Sequence, residues 1–275
     1  MELLERNPDG SVRGWSLSGN QLKTLAAVFM FIDHFAKVVL ASLMRNIIHP
    51  MEASGAMPEG TELALSNLSK QILVPIGAVA FPIFCYLFVE GFLHTHDRKR
   101  YFLKLTVFAL LSEIPFDITF FGSFAKMEGT YPFHWRYQNV LFTFMQGFVT
   151  LWVLEWLEKK WSGWPRWLLQ AITAIVACGL NELVFHADYD GGGIALIVVI
   201  WLLRRSKLHQ MTGMLGLKLL QDNGHQPRSF LAAVALIGLY NGKRGEKNMG
   251  YFFYIFYPAH ILFLHLLDLW IISMK

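Results

Sequence analysis

Charged residues are scarce in this sequence, and their scarcity excludes a soluble globular domain. Only 16% of the 275 residues are Asp, Glu, Lys or Arg, whereas 54% are hydrophobic and 15% aromatic; a soluble domain carries about 25% charged residues. Apolar runs near the ~20 residues that cross a bilayer follow one another closely. The predicted fold is therefore all-α, a polytopic transmembrane helical bundle, because backbone exposed to lipid must satisfy its hydrogen bonds within its own segment.

Several other features are missing. Cysteine occurs only at Cys85 and Cys178, both inside apolar runs, so a disulfide framework is not expected. The chain has no internal repeat and no long linker, which argues against a separate soluble domain. It lacks the Gly-x-x-x-x-Gly-Lys-Ser/Thr phosphate loop. Its spans lack His-x-x-x-His and Glu-x-x-His spacings, so we expect no metal.

The basic residues indicate topology. A net charge of +4 is compatible with nucleic-acid binding, but Lys and Arg cluster in short loops between apolar runs, which is the positive-inside pattern of membrane proteins. We therefore expect no nucleic-acid partner. Residues 1–21 are polar and lack the order of a signal peptide. They are predicted to form a cytoplasmic N-terminal segment, and 22–275 a single transmembrane domain.

About eight to ten spans are expected, and nine place every basic loop on one side. The stretch Arg45–Gln71 is predicted to be an extracytoplasmic loop. Two short segments near the C-terminus form either two short spans or a re-entrant pair. The predicted segments are Leu22–Met44, Ile72–Leu93, Tyr101–Phe121, Asn139–Leu157, Trp167–Phe185, Ile194–Leu203, the short pair Met211–Gln221 and Phe230–Tyr240, and Tyr251–Ile272.

The first span carries Asp33 and His34 near its middle. Ionisable residues at that depth are costly and normally face a bundle interior or a cavity, so the pair predicts a site. The two side chains point about 100° apart on a helix, and each is expected to find a partner on another helix. His34 is the best candidate base, because imidazole titrates near neutrality. Asp33 could instead simply hold helices together.

Three further residues within spans are candidates for the same site. Glu113 and Asp117 share a helix face, with Pro115 between them. They line a polar cavity or mark the outer end of a helix. Asp33, Glu113 and Asp117 are each candidates to orient His34. His260 follows Pro258 and either belongs to the site or makes a polar contact with a carbonyl that the proline frees.

Two basic loops are candidates for binding phosphate. Arg98, Lys99 and Arg100 lie in one, and Asn241, Lys243 and Arg244 lie in the other, where two glycines permit close backbone approach. Attraction to anionic lipid is the alternative explanation, since basic cytoplasmic loops are the rule in membrane proteins. Asp188, Tyr189 and Asp190, ahead of three glycines, are predicted to form an outer turn that could contact an acceptor.

Several local motifs are spread in order over nearly the whole chain. They are Gly19–Phe35, Ala80–Leu105, Phe108–Ile118, Gln138–Gly147, Ala187–Gly193, Leu239–Gly245 and Tyr251–Leu262. Together they resemble the TraX family, membrane proteins named for the F-pilin acetylase. Relatives tend to carry an arginine just before the Ala80-Phe81-Pro82 stretch, where this sequence has Gly77-Ala78-Val79.

The resemblance implies a bacterial inner-membrane enzyme that transfers acetyl from acetyl-CoA to an amine or hydroxyl. The acceptor would be the pilin N-terminus, a glycan or a small molecule. Such transfer needs a base, a group that stabilises the oxyanion, and a cationic site for the donor's phosphates. The residues alone also fit a proton-coupled transporter or channel, or a scaffold in which His34 is dispensable.

Overall fold

The computed structural model describes residues 15–122, 137–221, 228–246 and 249–274, and all structural statements concern these. Nine helical segments and two isolated β-bridges account for most of this part of the chain. The segments are α1 (Gly19–Ala53), α2 (Thr61–His94), α3 (Arg98–Asp117), α4 (Val140–Lys160), α5 (Gly163–Phe185), α6 (Asp190–Leu202), α7 (Lys207–Gln221), α8 (Arg228–Gly238) and α9 (Gly250–Ser273).

Five of these helices, α1, α2, α4, α5 and α9, are long and apolar enough to cross a membrane. The prediction of an all-α, multi-pass bundle is thereby confirmed, and the described residues contain no strand and no separate soluble unit. The two short segments are the helices α7 and α8, which pack against each other.

The prediction of a loop at Arg45–Gln71 is wrong. Helix α1 continues to Ala53 and α2 begins at Thr61, so only residues 54–60 connect them. Charged residues such as Arg45 end an apolar run, but they do not end a helix. Likewise, α1 begins at Gly19 instead of Leu22, inside the predicted 1–21 segment, because Ser18 forms a capping box with Gln21.

Two irregularities shape the centre of the bundle. Helix α1 changes to a π-helical turn at Ala36–Leu40, directly after the Asp33-His34 pair, and π-turns are frequent at functional sites. Helix α2 breaks after Gly77 and resumes at Ala80. Helix α1 packs against both halves of α2 and against α9, so three helices meet at the pair.

Helix α6 is the buried centre of the other half of the bundle. It packs against α2, α4, α5 and α7, and Ile194, Ile197 and Ile200 have no exposed surface. Side chains that are apolar on every face explain its burial. The loop that precedes α6 is therefore held against the bundle interior.

A candidate active site in the bundle core

Two histidines far apart in the sequence meet inside the bundle. His34 on α1 and His260 on α9 are 226 residues apart, yet His34 Nδ1 lies 2.8 Å from His260 Nε2. Their rings are parallel, at 3°, with centroids 5.0 Å apart. The prediction that His34 finds a partner on another helix is correct. That partner is His260, and none of the proposed carboxylates pairs with His34.

The hydrogen bonds of this pair fix its tautomers. His260 Nδ1 lies 2.8 Å from the carbonyl oxygen of Phe256, which can only accept, so His260 Nδ1 donates. In a neutral ring His260 Nε2 is then an acceptor, and His34 Nδ1 must donate to it. His34 Nε2 is left with its lone pair, as a general base requires.

Asp33 is held within its own helix, contrary to the expectation of a partner elsewhere. Its Oδ2 accepts from Lys37 Nζ at 2.6 Å, one turn further along α1. Gly77 of α2 crosses directly over it, and a Cβ at position 77 would lie 2.9 Å from the backbone nitrogen of Asp33. The absence of a side chain at Gly77 thus permits a very close helix crossing.

The loop between α5 and α6 carries a third ionisable side chain to the site. His186, Tyr189 and Asp190 have positive φ angles of 46°, 71° and 47°, and among the described residues they are the only non-glycines that do. Backbone strain of this kind persists where surrounding contacts impose it, and it clusters at functional sites. Thr143 donates to the carbonyl of Asp188, whose backbone N–H donates to Gln138 O at 2.9 Å.

Asp188 lines the same chamber as His34. It lines a small chamber of about 30 Å³ together with Asp33, His34 and Tyr257. Desolvation raises the pKa of the Asp188 carboxyl to about 6, against the opposing effect of Lys37. The chamber thus holds one base with a free lone pair and one carboxyl that titrates near neutrality.

Two further cavities lie in succession between the chamber and one end of the bundle, and neighbouring cavities share lining residues. The chamber shares Met30, Phe84 and Tyr257 with an apolar cavity of about 140 Å³. That cavity shares Lys23, Tyr101 and Tyr254 with a first cavity of about 640 Å³ at the end where the basic loops lie. From Lys23 to His34 the helix rises by about 16 Å.

Four cationic side chains line the first cavity: Lys23, Arg100, Lys104 and Arg244. The loop that carries Arg244 is fixed against the start of α1, where Gly19 and Asn20 donate to the carbonyls of Lys243 and Arg244 at 2.8 and 3.0 Å. This clamp holds Arg244 at the cavity mouth. The four cations come from three separate parts of the chain.

The other residues predicted to bind phosphate do not line this cavity. Arg98 is paired with Glu155 on α4 and covers the ring of Phe92 at 4.5 Å. Lys99 and Lys243 are exposed outside it. Asn241 accepts from the backbone of Lys243 at 2.9 Å, so it shapes the loop.

Glu113 and Asp117 are likewise not part of the chamber. Glu113 accepts from the backbone N–H of Asn139 at 3.2 Å and also from its side chain. Asn139 in turn caps α4 by accepting from Leu141 at 3.0 Å. Glu113 therefore tethers α3 to the start of α4. Asp117 is buried one turn further along α3.

Lys23 and Lys104 were missed as candidate site residues. Lys23 is only the second residue of the predicted span Leu22–Met44, where a basic residue is common, and Lys104 is the fourth residue of the predicted span Tyr101–Phe121. Asp188 was predicted to lie in an outer turn that could contact an acceptor. Its position in the same chamber as His34 could not be predicted, since it depends on the folding of α5 against α6.

The paired histidines and the apolar helices define a multi-pass membrane protein with a polar site inside its helical bundle. The profile described as TraX protein matches residues 18–268, so the chain belongs to the TraX family. It is also 25% identical over 272 residues to a probable fimbrial assembly protein, FimC of serogroup H1, from Dichelobacter nodosus. That match covers 92% of this chain and 96% of the relative. No solved structure matches.

Proposed function

We propose that the protein is an integral membrane acetyltransferase that takes acetyl from acetyl-CoA and transfers it to an amine or hydroxyl. The observation that carries the proposal is the path from a cavity lined by four cations to a histidine with a free Nε2. The positive-inside pattern of the basic loops supports a cytoplasmic position for the donor's cavity in a bacterial inner membrane, and acetyl-CoA is made in the cytoplasm.

The first cavity suits the donor in charge, because its four cations outnumber the two carboxylates in its lining, Glu90 and Asp97. Coenzyme A carries a 3′-phosphate and a pyrophosphate, which Lys23, Arg100, Lys104 and Arg244 would bind through charge-assisted hydrogen bonds. The apolar cavity beyond accommodates the extended, nearly uncharged pantetheine arm. The thioester then arrives at the chamber that His34 lines.

The proposed transfer uses only acetyl-CoA and the acceptor, and its atoms and protons balance. His34 Nε2 removes a proton from the acceptor as its nitrogen or oxygen attacks the thioester carbonyl. The carbon–sulfur bond breaks when the tetrahedral intermediate collapses, and the imidazolium returns the proton to the leaving thiolate. His260 accepts from His34 Nδ1 throughout, which keeps the ring oriented. Tyr257, in contact with the backbone amide of Val140, is placed to donate to the oxyanion.

A primary amine is the acceptor that the chamber favours. The carboxyl of Asp188 attracts a protonated amine and can take its extra proton, leaving the neutral nucleophile for His34 to serve. The name of the relative, a fimbrial assembly protein, fits the pilin N-terminus as this amine. A glycan or a small molecule remains the alternative acceptor.

The test is acetyl-CoA binding to purified protein by calorimetry, with variants that differ only in position. Arg100→Ala with Arg244→Ala should weaken binding by at least about 10²-fold, because each removes a charge-assisted contact of about 1.5–3 kcal/mol. Lys99→Ala with Lys243→Ala removes the same charge from neighbouring positions outside the cavity and serves as the control. Equal losses of acetyl-CoA affinity in the two double variants would mean that the basic loops serve only to set the membrane topology.

His34→Ala should bind acetyl-CoA normally but lose acetyl transfer, since His34 is proposed only to move the proton. Full transfer by that variant would refute the mechanism. A proton-coupled transporter is the second candidate, favoured by the connected cavities through the bundle. Absence of acetyl-CoA binding, together with proton-dependent uptake into proteoliposomes, would put transport first.

A further inference from the structure

A second large cavity lies on the far side of the histidine chamber. Its volume is about 560 Å³, and it is lined by Ala78, Phe81 and Pro82, where the second half of α2 begins. The first cavity is lined by Glu90, Gly91 and His94, where the same half-helix ends. The two cavities therefore lie at opposite ends of one helix segment, and the chamber, which Gly77, Ala80 and Phe84 line, lies directly next to the second cavity.

The two cavities differ in charge. Of the described residues that line the second cavity, Lys218 is the only charged one, and Gly192, Gly193 and Leu196 form much of its wall. The first cavity has four cations. A polyanion such as coenzyme A is therefore suited to the first cavity, whereas the second suits an apolar chain that ends in one reactive group.

A pair of stacked rings separates the second cavity from the chamber. Phe81 and Tyr189 line both spaces. Their rings are parallel within 3°, with centroids 3.4 Å apart. Tyr189 is 43% exposed, so its outer side is open to the second cavity. It belongs to the strained loop that also carries Asp188, with a φ of 71°.

We propose that the second cavity is the entrance for the acceptor, and that the Phe81–Tyr189 stack is the gate between this entrance and His34. This inference rests on the proposed acetyl transfer. The acceptor is an apolar chain with a terminal amine, which reaches the chamber when Tyr189 swings away from Phe81. Donor and acceptor then meet at His34 from opposite ends of the bundle, and the closed stack keeps water from the thioester until the acceptor arrives.

The gate can be tested without any enzymatic activity. In a background of Cys85→Ala and Cys178→Ala, Met30→Cys places a thiol on the chamber wall. A membrane-impermeant methanethiosulfonate is applied to sealed vesicles of either orientation. Tyr189→Asn removes the ring but tolerates the left-handed backbone, and it should speed labelling from the second-cavity side at least tenfold.

Tyr189→Phe is the matched control, since it keeps the stack and loses only the hydroxyl. It should label like the parent protein. If Tyr189→Asn does not speed labelling from that side, or if Tyr189→Phe speeds it equally, the stack is not the gate.

The acceptor's route is tested by blocking the second cavity after folding. Ser229→Cys lies in its wall, and modification with a bulky maleimide should lower acetylation of octylamine at least tenfold while leaving acetyl-CoA affinity unchanged. Thr212→Cys, exposed on α7, is modified as the control. Unchanged octylamine turnover, or weakened acetyl-CoA binding, would overturn the assignment. Failure of the unmodified protein to bind acetyl-CoA would instead refute the proposed function. The vesicle labelling would still show whether the Phe81–Tyr189 stack controls access to the chamber.

Discussion

At the scale of single residues, the positions of the protons on two imidazole rings decide which nitrogen can act as a base. His260 Nδ1 must donate to the carbonyl of Phe256, and His34 Nδ1 must then donate to His260. The depth of His34 in its span was enough to predict that it has a partner on another helix. The identity of this partner was not predictable in this way, because the contact joins residues 226 positions apart.

Loss of the His260 acceptor should disturb this arrangement. In His260→Ala the His34 ring is free to adopt either tautomer, so we expect acetyl transfer to fall about 10²-fold with little change in acetyl-CoA affinity. His260→Gln retains a side-chain acceptor and should recover part of the rate. The measurement is kcat and KM for both variants; an unaltered kcat in His260→Ala would show that the pair has no positioning role.

Asp188 should make stability depend on pH. Desolvation raises its pKa from 3.8 to about 6 in the folded protein; Asp33 and Asp190 add to this effect, and Lys37 opposes it. Since the folded pKa is the higher one, the carboxyl costs stability once ionised. Relative to Asp188→Asn, the native protein should lose stability as the pH rises from about 4 through about 6, and then level off.

Thermal unfolding of the two proteins in detergent between pH 4 and pH 8 checks this expectation. Comparing them cancels the titration of all other groups. A difference in Tm that stays constant across the range would mean that Asp188 is not desolvated in the folded protein.

At the scale of helices, the crossing of α1 and α2 depends on one glycine. A Cβ at Gly77 would lie 2.9 Å from the nitrogen of Asp33, and the obstacle is backbone. Gly77→Ala must therefore push the helices apart at the site, and we expect a loss of about 1–3 kcal/mol in stability and a large loss of acetyl transfer.

Gly216→Ala is the control for that prediction. Nothing lies within 4 Å of a Cβ at position 216, so the change should stabilise its helix slightly by reducing backbone freedom. Thermal unfolding and transfer assays on both variants decide the matter. If Gly77→Ala proved as harmless as Gly216→Ala, the close crossing would have no role in the site.

The apolar runs that form helices could be predicted from the sequence more accurately than the residues at which the helices end. Each predicted span corresponds to a helix, because apolar runs reflect burial or lipid contact. The error at Arg45–Gln71 arose because hydropathy reports where the apolar environment ends, whereas backbone hydrogen bonding continues to Ala53. The break in α2 after Gly77 could not be predicted either, since it depends on how α1 crosses α2 at this position.

At the scale of the whole molecule, the two large cavities differ in charge. Four cations line the first cavity, whereas Lys218 is the only charged residue among the described residues that line the second. Two of the residues predicted from the basic loops, Arg100 and Arg244, line the first cavity. Sequence reasoning could not separate them from Arg98 and Lys243, since neighbouring residues on a helix or loop point in different directions and only packing decides which face the cavity.

Arg98 should therefore have a structural role, and Lys23 should have the phosphate-binding role that the sequence predicted for Arg98. Arg98 joins α3 to Glu155 of α4 and stacks on Phe92, so Arg98→Ala should lower stability by about 1–3 kcal/mol and leave acetyl-CoA affinity unchanged. Lys23→Met keeps an apolar side chain of similar length in the cavity wall; it should lower affinity about tenfold or more and leave Tm unchanged or higher, because it removes a largely buried cation. Calorimetry and thermal unfolding on both variants separate the two effects. If Arg98→Ala weakened acetyl-CoA binding while Lys23→Met did not, the donor would bind at the outer loop, and the cavity leading to His34 would have another use.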